Sequence, residues 1–400
     1  MTARFRRPAS VAVFGWFASA AVACTDATVN TRPTVRDSVG VEIIEYPRLT
    51  ELDWVLSVQP TLDVDAAAGQ AGEFFRVSDA NILANGAIAV VNAGTHQVRI
   101  FDPEGALTVE FGRRGRGPGE FQNPYRVLDL PPDRLIVSDP FQPRLSIFDR
   151  SGRLVDEAPM STLGSIAIVV GWLTGDTVVT GHFAVRPSPD AFLPQFMQYT
   201  LYAWTTGVTH SVAQVPSGTI GFIGGREPWG IVGGALFEPM AQAATANRLL
   251  VLGDALTPEL RFYNASQVLR RILRWDERTH EVTSDDVDAF RDAWLDQMRS
   301  ADRRAMMAKQ VDATPVAEHF PSIGGLRVDN DERIWVKEYV KPRDKRQTWH
   351  IFDLDGPSQF RVDLPLGLEF MDAAADQILV LERDELDVEH VHVYRLVQLP

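Results

Sequence analysis

The 400-residue chain has one cysteine, Cys24, so it cannot form an internal disulfide, and its stability must come from packing. It also lacks an excess of base. Lys and Arg number 39 against 53 Asp and Glu, a formal net charge of −14. Such a chain repels polyphosphate, which argues against nucleic acid as a partner. The acids are scattered rather than blocked, and read as a solvated surface. The uncharged, mostly apolar run Val11–Ala23 is 13 residues long, short of the roughly 18 of a spanning helix. A Gly-x-Ser-x-Gly elbow is missing, and no cysteine remains downstream for nucleophilic work. The loop Gly112–Gly119 is glycine-rich but lacks the Lys-Ser/Thr of a phosphate-binding P-loop.

What is present begins with a leader. Arg4, Arg6 and Arg7 precede an uncharged, mostly apolar run from Val11 to Ala23, the grammar of a signal peptide over residues 1–23. Ala21-Val22-Ala23-Cys24 resembles the lipobox of bacterial lipoproteins. That resemblance implies a lipidated Cys24, a membrane partner through the lipid, and an envelope location facing the periplasm. Plain cleavage after Ala23 is the alternative. Residues 24–40 then read as the anchor and a flexible polar tether.

A repeat organises residues 41–400. Glu73-Phe74 recurs as Glu120-Phe121, Val90 to Asn92 as Val137 to Asp139, Ile100-Phe101-Asp102 as Ile147-Phe148-Asp149, and Gly105 as Gly152. Each pair is 47 residues apart, a spacing that signals units unable to bury their apolar faces alone. Each unit offers about four short β-branched and aromatic strands between Gly, Pro, Asp or Asn turns. Further units are marked by Asp176–Thr180 with Tyr199–Trp204, by Leu249–Leu252 with Leu260–Asn264, by Trp335-Val336 with Ile351–Asp353, and by Ile378–Leu381 with Val391–Leu396. The period places Leu62–Val64 as the outer strand of a unit whose other strands lie at the C-terminus. One segment breaks the pattern. Val287, Phe290, Trp294, Met298 and Ala301 recur at helical spacing, with Ser284 as a cap, giving an inserted amphipathic helix over about 284–309 within an insertion of about 276–318. Its apolar stripe reads as packing on the domain, with partner binding the alternative. Without that insertion, the repeat region holds roughly six periods.

These features predict an all-β, six-bladed β-propeller closed by an N-terminal strand. The run Gly112 to Phe121, a strand ending in Ser138-Asp139, and the Ile-Phe-Asp-x-x-Gly turn resemble the NHL-type repeat. With Asp37-Ser-x-Gly40 and Glu385-Leu-Asp-Val388, the chain resembles the bacterial six-bladed propeller lipoproteins. The Trp-Asp and Gly-Gly signatures of the WD and kelch types do not recur. The resemblance implies a binding platform. Propellers of related families include calcium-dependent lactone hydrolases and zinc-dependent lyases, so the competing expectation is a calcium-dependent hydrolase or lyase.

The chemistry-bearing candidates are few. Of eight histidines only His390 and His392 are neighbours, on one face of a strand, and no zinc set of three or four ligands is evident; no metal site and no cofactor are expected, calcium entering only under the hydrolase reading. Arg76-Val77, Arg126-Val127 and Arg327-Val328 each open a unit, on the strand that lines a propeller channel. Alternation would send Val between sheets and Arg elsewhere, making a channel-mouth site for a small anion or a protein partner. Pairing with Asp79, Asp129 or Asp329 is the alternative. Arg113, Arg114 and Arg116 on the glycine-rich loop form a second candidate, whose competing role is a connection between blades.

Overall fold

The computed structural model describes residues 33–399 except 48, 50–52, 65–72, 161–166, 189, 224–230, 247, 278 and 355–358. The leader, Cys24 and residues 25–32 of the tether lie outside the described residues. The N-terminal part supplies β1 (Thr34–Ser38), β2 (Val41–Tyr46), β3 (Trp54–Leu56) and β4 (Leu62–Asp63). Two four-stranded antiparallel sheets follow in chain order. The first is β5 (Val77–Ile82), β6 (Ile88–Asn92), β7 (Gln97–Phe101) and β8 (Leu107–Phe111); the second is β9 (Arg126–Leu130), β10 (Arg134–Ser138), β11 (Arg144–Asp149) and β12 (Leu154–Pro159). A third sheet contains β13 (Ile168–Thr174), β14 (Thr177–Phe183), β15 (Leu193–Ala203), β16 (Val208–Ile223) and β17 (Ile231–Gly233). Next come β18 (Gln242–Ala246), β19 (Leu249–Gly253), β20 (Glu259–Asn264) and β21 (Leu269–Trp275), whose outer edge is extended by β2 and then β1. Helices α1 (Ser284–Asp296) and α2 (Ala301–Ala313) separate these from β22 (Ile323–Val328), β23 (Ile334–Glu338), β24 (Arg346–Phe352) and β25 (Gln359–Pro365). The last strands are β26 (Leu368–Ala374), β27 (Gln377–Arg383) and β28 (Glu389–Gln398). β3 lies between β25 and β28, while β4 pairs with β28 through Asp63 opposite His392 and Leu62 opposite Val393.

Each member of the 47-residue repeat has a structural task. Phe74 and Phe121 are buried edge-on or tilted against Phe101 and Phe148, with ring centroids 5.9 Å apart in both cases. The loop carrying each Phe is tied to its sheet by a side chain one period apart. Asn92 Oδ1 accepts from the Phe75 N–H (2.9 Å), and Asp139 Oδ2 from the Gln122 N–H (2.6 Å). Asp102 and Asp149 start the last hairpin of their sheets, accepting from the amides two and four residues on at 2.8–3.1 Å. Asn264 and Asp384 do the same in later sheets. Asx side chains favour such turns because their oxygen replaces a backbone acceptor.

Apolar residues alternate between two neighbours. Val90 packs toward β26–β28 and Val91 toward β9–β12, and the buried residues fall into six clusters, each shared by two successive sheets. The first strands β5, β9, β13, β18 and β22 lie side by side, β22 meets β26, and β26 meets β5. This is a β-propeller arrangement, since only first strands meet near the axis.

Two expectations need correction. Residues 34–38, expected in the tether, form β1, because Asp37 Oδ1 accepts the Gly40 N–H (3.2 Å) and the left-handed Val39 and Gly40 close a hairpin onto β2. The inserted helix is two helices. Ser300 interrupts it by capping α2, accepting from the Arg303 N–H. The cap of α1 is Thr283 rather than Ser284, in a reciprocal box with Asp286. Of the apolar stripe, Phe290 packs on Phe237 at 5.5 Å while Trp294 remains 41% exposed. No helix among the described residues is long and apolar enough to cross a membrane.

Candidate functional site

Residues of β5, β9, β13, β18, β22 and β26 line an axial cavity of about 120 Å³. Room on one side comes from small residues: Gly171, Ala243, Ala244 and Thr245. A Cβ at Gly171 would stand 2.2 Å from Thr245 Oγ1, so β13 and β18 meet this closely only through glycine. The polar lining is Asp79 and Asn81 on β5, Arg126 on β9, Arg327 on β22 and Asp372 on β26.

The carboxylates are largely occupied. Asp79 Oδ2 accepts from the Val127 N–H and from Asn81 Nδ2, both at 3.0 Å. Asp372 accepts from the Ile82 and Ala373 N–H groups at 2.8 Å. Burial pushes the Asp372 carboxyl well above the ordinary range, and Asp79 and Asp329 add to the push. The arginines differ. Arg126 Nη1 donates to the Val170 carbonyl (2.6 Å) and, at 3.4 Å, to that of Val169, tying the second sheet to the third. Arg327 has no hydrogen bond or ion pair among the described residues. Its pKa is lowered by burial first and by the neighbouring Arg126 guanidinium second, with Asp79 opposing. Two guanidinium groups thus share one small cavity, and Arg327 meets opposite charge only at longer range, from Asp79, Tyr125 and Glu369.

Arg76 is elsewhere. It precedes β5 in a left-handed conformation (φ 55°), is exposed, and does not line the cavity. The acids named as alternative partners are otherwise engaged: Asp129 with Arg150, and Asp329 with Arg333 (2.6 Å) and the Trp335 indole N–H (2.7 Å). On the glycine-rich loop, Arg113 pairs with Glu120 (2.8 Å), Arg114 bridges to Phe121, and Arg116 lines a separate pocket beside Phe141. The amides of Gly117 and Gly119 already donate to Glu120 and Glu157, at 2.8 and 3.2 Å. The Gly117 amide, and then Arg113, lower the Glu120 pKa. Gln142 and Arg144 hold the loop carbonyls. The loop joins two sheets and presents no open amide cradle for an anion.

His390 and His392 stack with ring centroids 5.8 Å apart and face acids, Asp384 at 3.5 Å and Glu382 at 3.1 Å. Among the described residues no three His, Cys, Asp or Glu side chains are grouped to hold a metal. Calcium takes six to eight oxygens. Here both Asp372 oxygens and one of Asp79 accept N–H bonds, and two guanidinium groups stand beside them. That donor set does not fit calcium. Asn81, Asp372 and Lys337, which lines the next pocket, carried no signal in sequence. Each is an ordinary strand residue until the ring brings it to the axis.

No protein family and no curated protein is matched by the sequence. Solved structures are. The chain is similar to a member of the DUF4221 family from Bacteroides vulgatus, with a TM-score of 0.54 and 10% identity over 88% of this chain and 100% of that one. That likeness is one of fold alone. It is also similar to the β-propeller domain of the trilobed protease from Pyrococcus furiosus (TM-score 0.39, 11% identity, 81% of this chain and 84% of that). A third is regucalcin, a calcium-binding protein from Agrobacterium tumefaciens (TM-score 0.37, 10% identity, 86% and 97%).

Proposed function

We propose that the chain is a lipid-anchored, periplasm-facing six-bladed propeller that binds a small anion, or an acidic group of a protein partner, at its axial cavity without converting it. Each blade contributes its first strand to the cavity, and β4 completes the last blade by pairing with β28, closing the ring and covering an edge otherwise open to aggregation. The reading rests on Arg327. A half-buried guanidinium beside a second one, opposed by Asp79, Tyr125 and Glu369 only at longer range and with no hydrogen bond or ion pair among the described residues, gains most from a ligand that brings negative charge. At about 120 Å³ the cavity has room for several waters, and so for a carboxylate- or phosphate-sized group. Arg76 and the loop arginines are left out, being exposed or already paired. The calcium-dependent hydrolase is not favoured, because the free donors are too few and the cations too close.

The test is a thermal-shift and calorimetric screen of the purified chain with acetate, phosphate and similar anions at fixed ionic strength, since a ligand of the native state raises its melting temperature. Arg126→Gln with Arg327→Gln should remove the shift. An unchanged shift in that double variant sinks the site. The anchor is tested by Cys24→Ser, which should move the protein from the membrane pellet to the soluble fraction.

A further inference from the structure

The axial cavity adjoins a larger one. A pocket of about 590 Å³ between β22–β25 and β26–β28 shares Leu326 and Arg327 with it, and adds Lys337, Trp349 and Phe370. Arg327 therefore stands in the wall between the two spaces.

Strand register sets the second cation. Gly325 lies opposite Lys337 and Arg327 opposite Trp335, so Arg327 and Lys337 are diagonal neighbours on one face of the β22–β23 hairpin. Diagonal positions are about 7–8 Å apart, close enough for long side chains to interact. Like charges there repel, and an unliganded sheet gains nothing from the pair. Lys337 has no hydrogen bond or ion pair among the described residues. Its ammonium sits over the Trp349 ring at 5.7 Å, and its stem crosses Gly325, where an added Cβ would meet Lys337 Cε at 3.3 Å. Burial, then Arg327, lowers its pKa, while Glu369 opposes. Glu369 is the pocket's one carboxylate, and Arg383 draws it off at 3.7 Å. Gln347 and the Trp349 indole on the same wall are already hydrogen-bonded. Gln347 donates to the Pro365 carbonyl (3.0 Å) and accepts from the Trp349 indole N–H (3.3 Å).

Resting on the anion-binding reading above, we infer that the ligand is a small dicarboxylic acid, one carboxylate held by Arg327 with Arg126 in the axial cavity and the other by Lys337 in the adjoining pocket. Its hydrocarbon body would run along the aromatic wall of Trp349 and Phe370. A monoanion would neutralise only one of two cations that make no ion pair among the described residues. A dianion of the right length neutralises both, and its apolar middle replaces water on the rings.

The experiment compares glutarate and adipate with butyrate on the full-length chain, by calorimetry and thermal shift at fixed pH and ionic strength. The better dicarboxylate should bind about ten- to a hundredfold more tightly than butyrate, the range expected of one added charge-assisted contact. Lys337→Met keeps the stem over Gly325 and Trp349, and should bring dicarboxylate affinity down to that of butyrate while leaving butyrate binding unchanged. Lys337→Gln should do the same, and the melting temperature of each unliganded variant reports whether it folds. If the dicarboxylates bind no better than butyrate, or if both Lys337 variants fold and keep the preference, the dianion inference is overturned and the anion site survives. If no anion binds the wild-type chain, the anion-binding reading fails and this inference falls with it.

Discussion

The two halves of the propeller axis use charge differently. Where β26, β5 and β9 meet, the charged and amide groups fasten strands together. Asp372 accepts the Ile82 N–H, Asp79 accepts the Val127 N–H, and Asn81 Nδ2 donates to the Val127 carbonyl (2.9 Å). Where β13, β18 and β22 meet, the lining is Val170, Gly171, Ala243, Ala244 and Thr245, and the one charge, Arg327, fastens nothing. The first half holds buried carboxylates, the second a half-buried guanidinium. A buried charge whose bonds go to backbone amides of the next strand is a fastening. A half-buried charge without such bonds costs stability, and a ligand that comes to it would recover that cost.

That contrast can be broken most severely at the N-terminus. Deleting residues 33–64 removes β4 from β28 and takes away buried Ile44, Tyr46 and Val64, each worth about 1.5–3 kcal/mol in apolar burial. The expected result is a large fall in the denaturant midpoint. A midpoint equal to that of the intact chain would show that the ring needs no closing strand.

Next in size are the fastenings. Asp79→Ala and Asp372→Ala should each cost about 1–3 kcal/mol in chemical unfolding, because each strands a buried backbone N–H. Losses near zero would remove the fastened half from the comparison.

A smaller effect separates the two protonation states of Asp372. Its pKa is raised in the folded chain, so the native state binds more protons than the unfolded one between the ordinary value of 3.8 and the folded value. The associated stability is fully present below 3.8 and is lost as pH rises through the folded pKa. Asp372→Asn mimics the neutral acid, so its stability should fall less with rising pH than that of the wild type. Parallel stability-versus-pH curves for the two proteins would contradict the assignment.

The smallest change is expected at Arg327. Arg327→Met should leave stability unchanged or raise it by up to about 1 kcal/mol, since a half-buried charge that makes no ion pair among the described residues is replaced by an apolar chain. A loss as large as that of the aspartate variants would make Arg327 another fastening.

The repeat was legible because it rests on local chemistry: an Asx oxygen closing a turn two and four residues on, and a Phe inserted beside another one strand away. The pairing of Leu62–Asp63 with the C-terminal strand was legible from the same period. The arginine set was read less well. Arg126 stands 50 residues after Arg76, not 47. Counted by the period, Arg126 corresponds to Asp79, as the register confirms with Asp79 opposite Val91 and Arg126 opposite Ser138. Arg327, one pair from the hairpin end, holds the place of Asn81. Similar dipeptides therefore lay at different depths along the first strands. Ser300 between two helices was hidden for a related reason, since α2 is mostly exposed and leaves no clear apolar stripe.

By itself the sequence determined the turns, the alternation that gives every sheet two apolar faces, and so the stacking of like units, because these depend on residues a few positions apart. Only the tertiary structure decided which side chains reach the axis and which of them find partners there. Asp79, Arg126, Arg327 and Asp372 lie far apart in the chain, and whether each charge is satisfied depends on the backbone amides and carbonyls that a neighbouring blade happens to present.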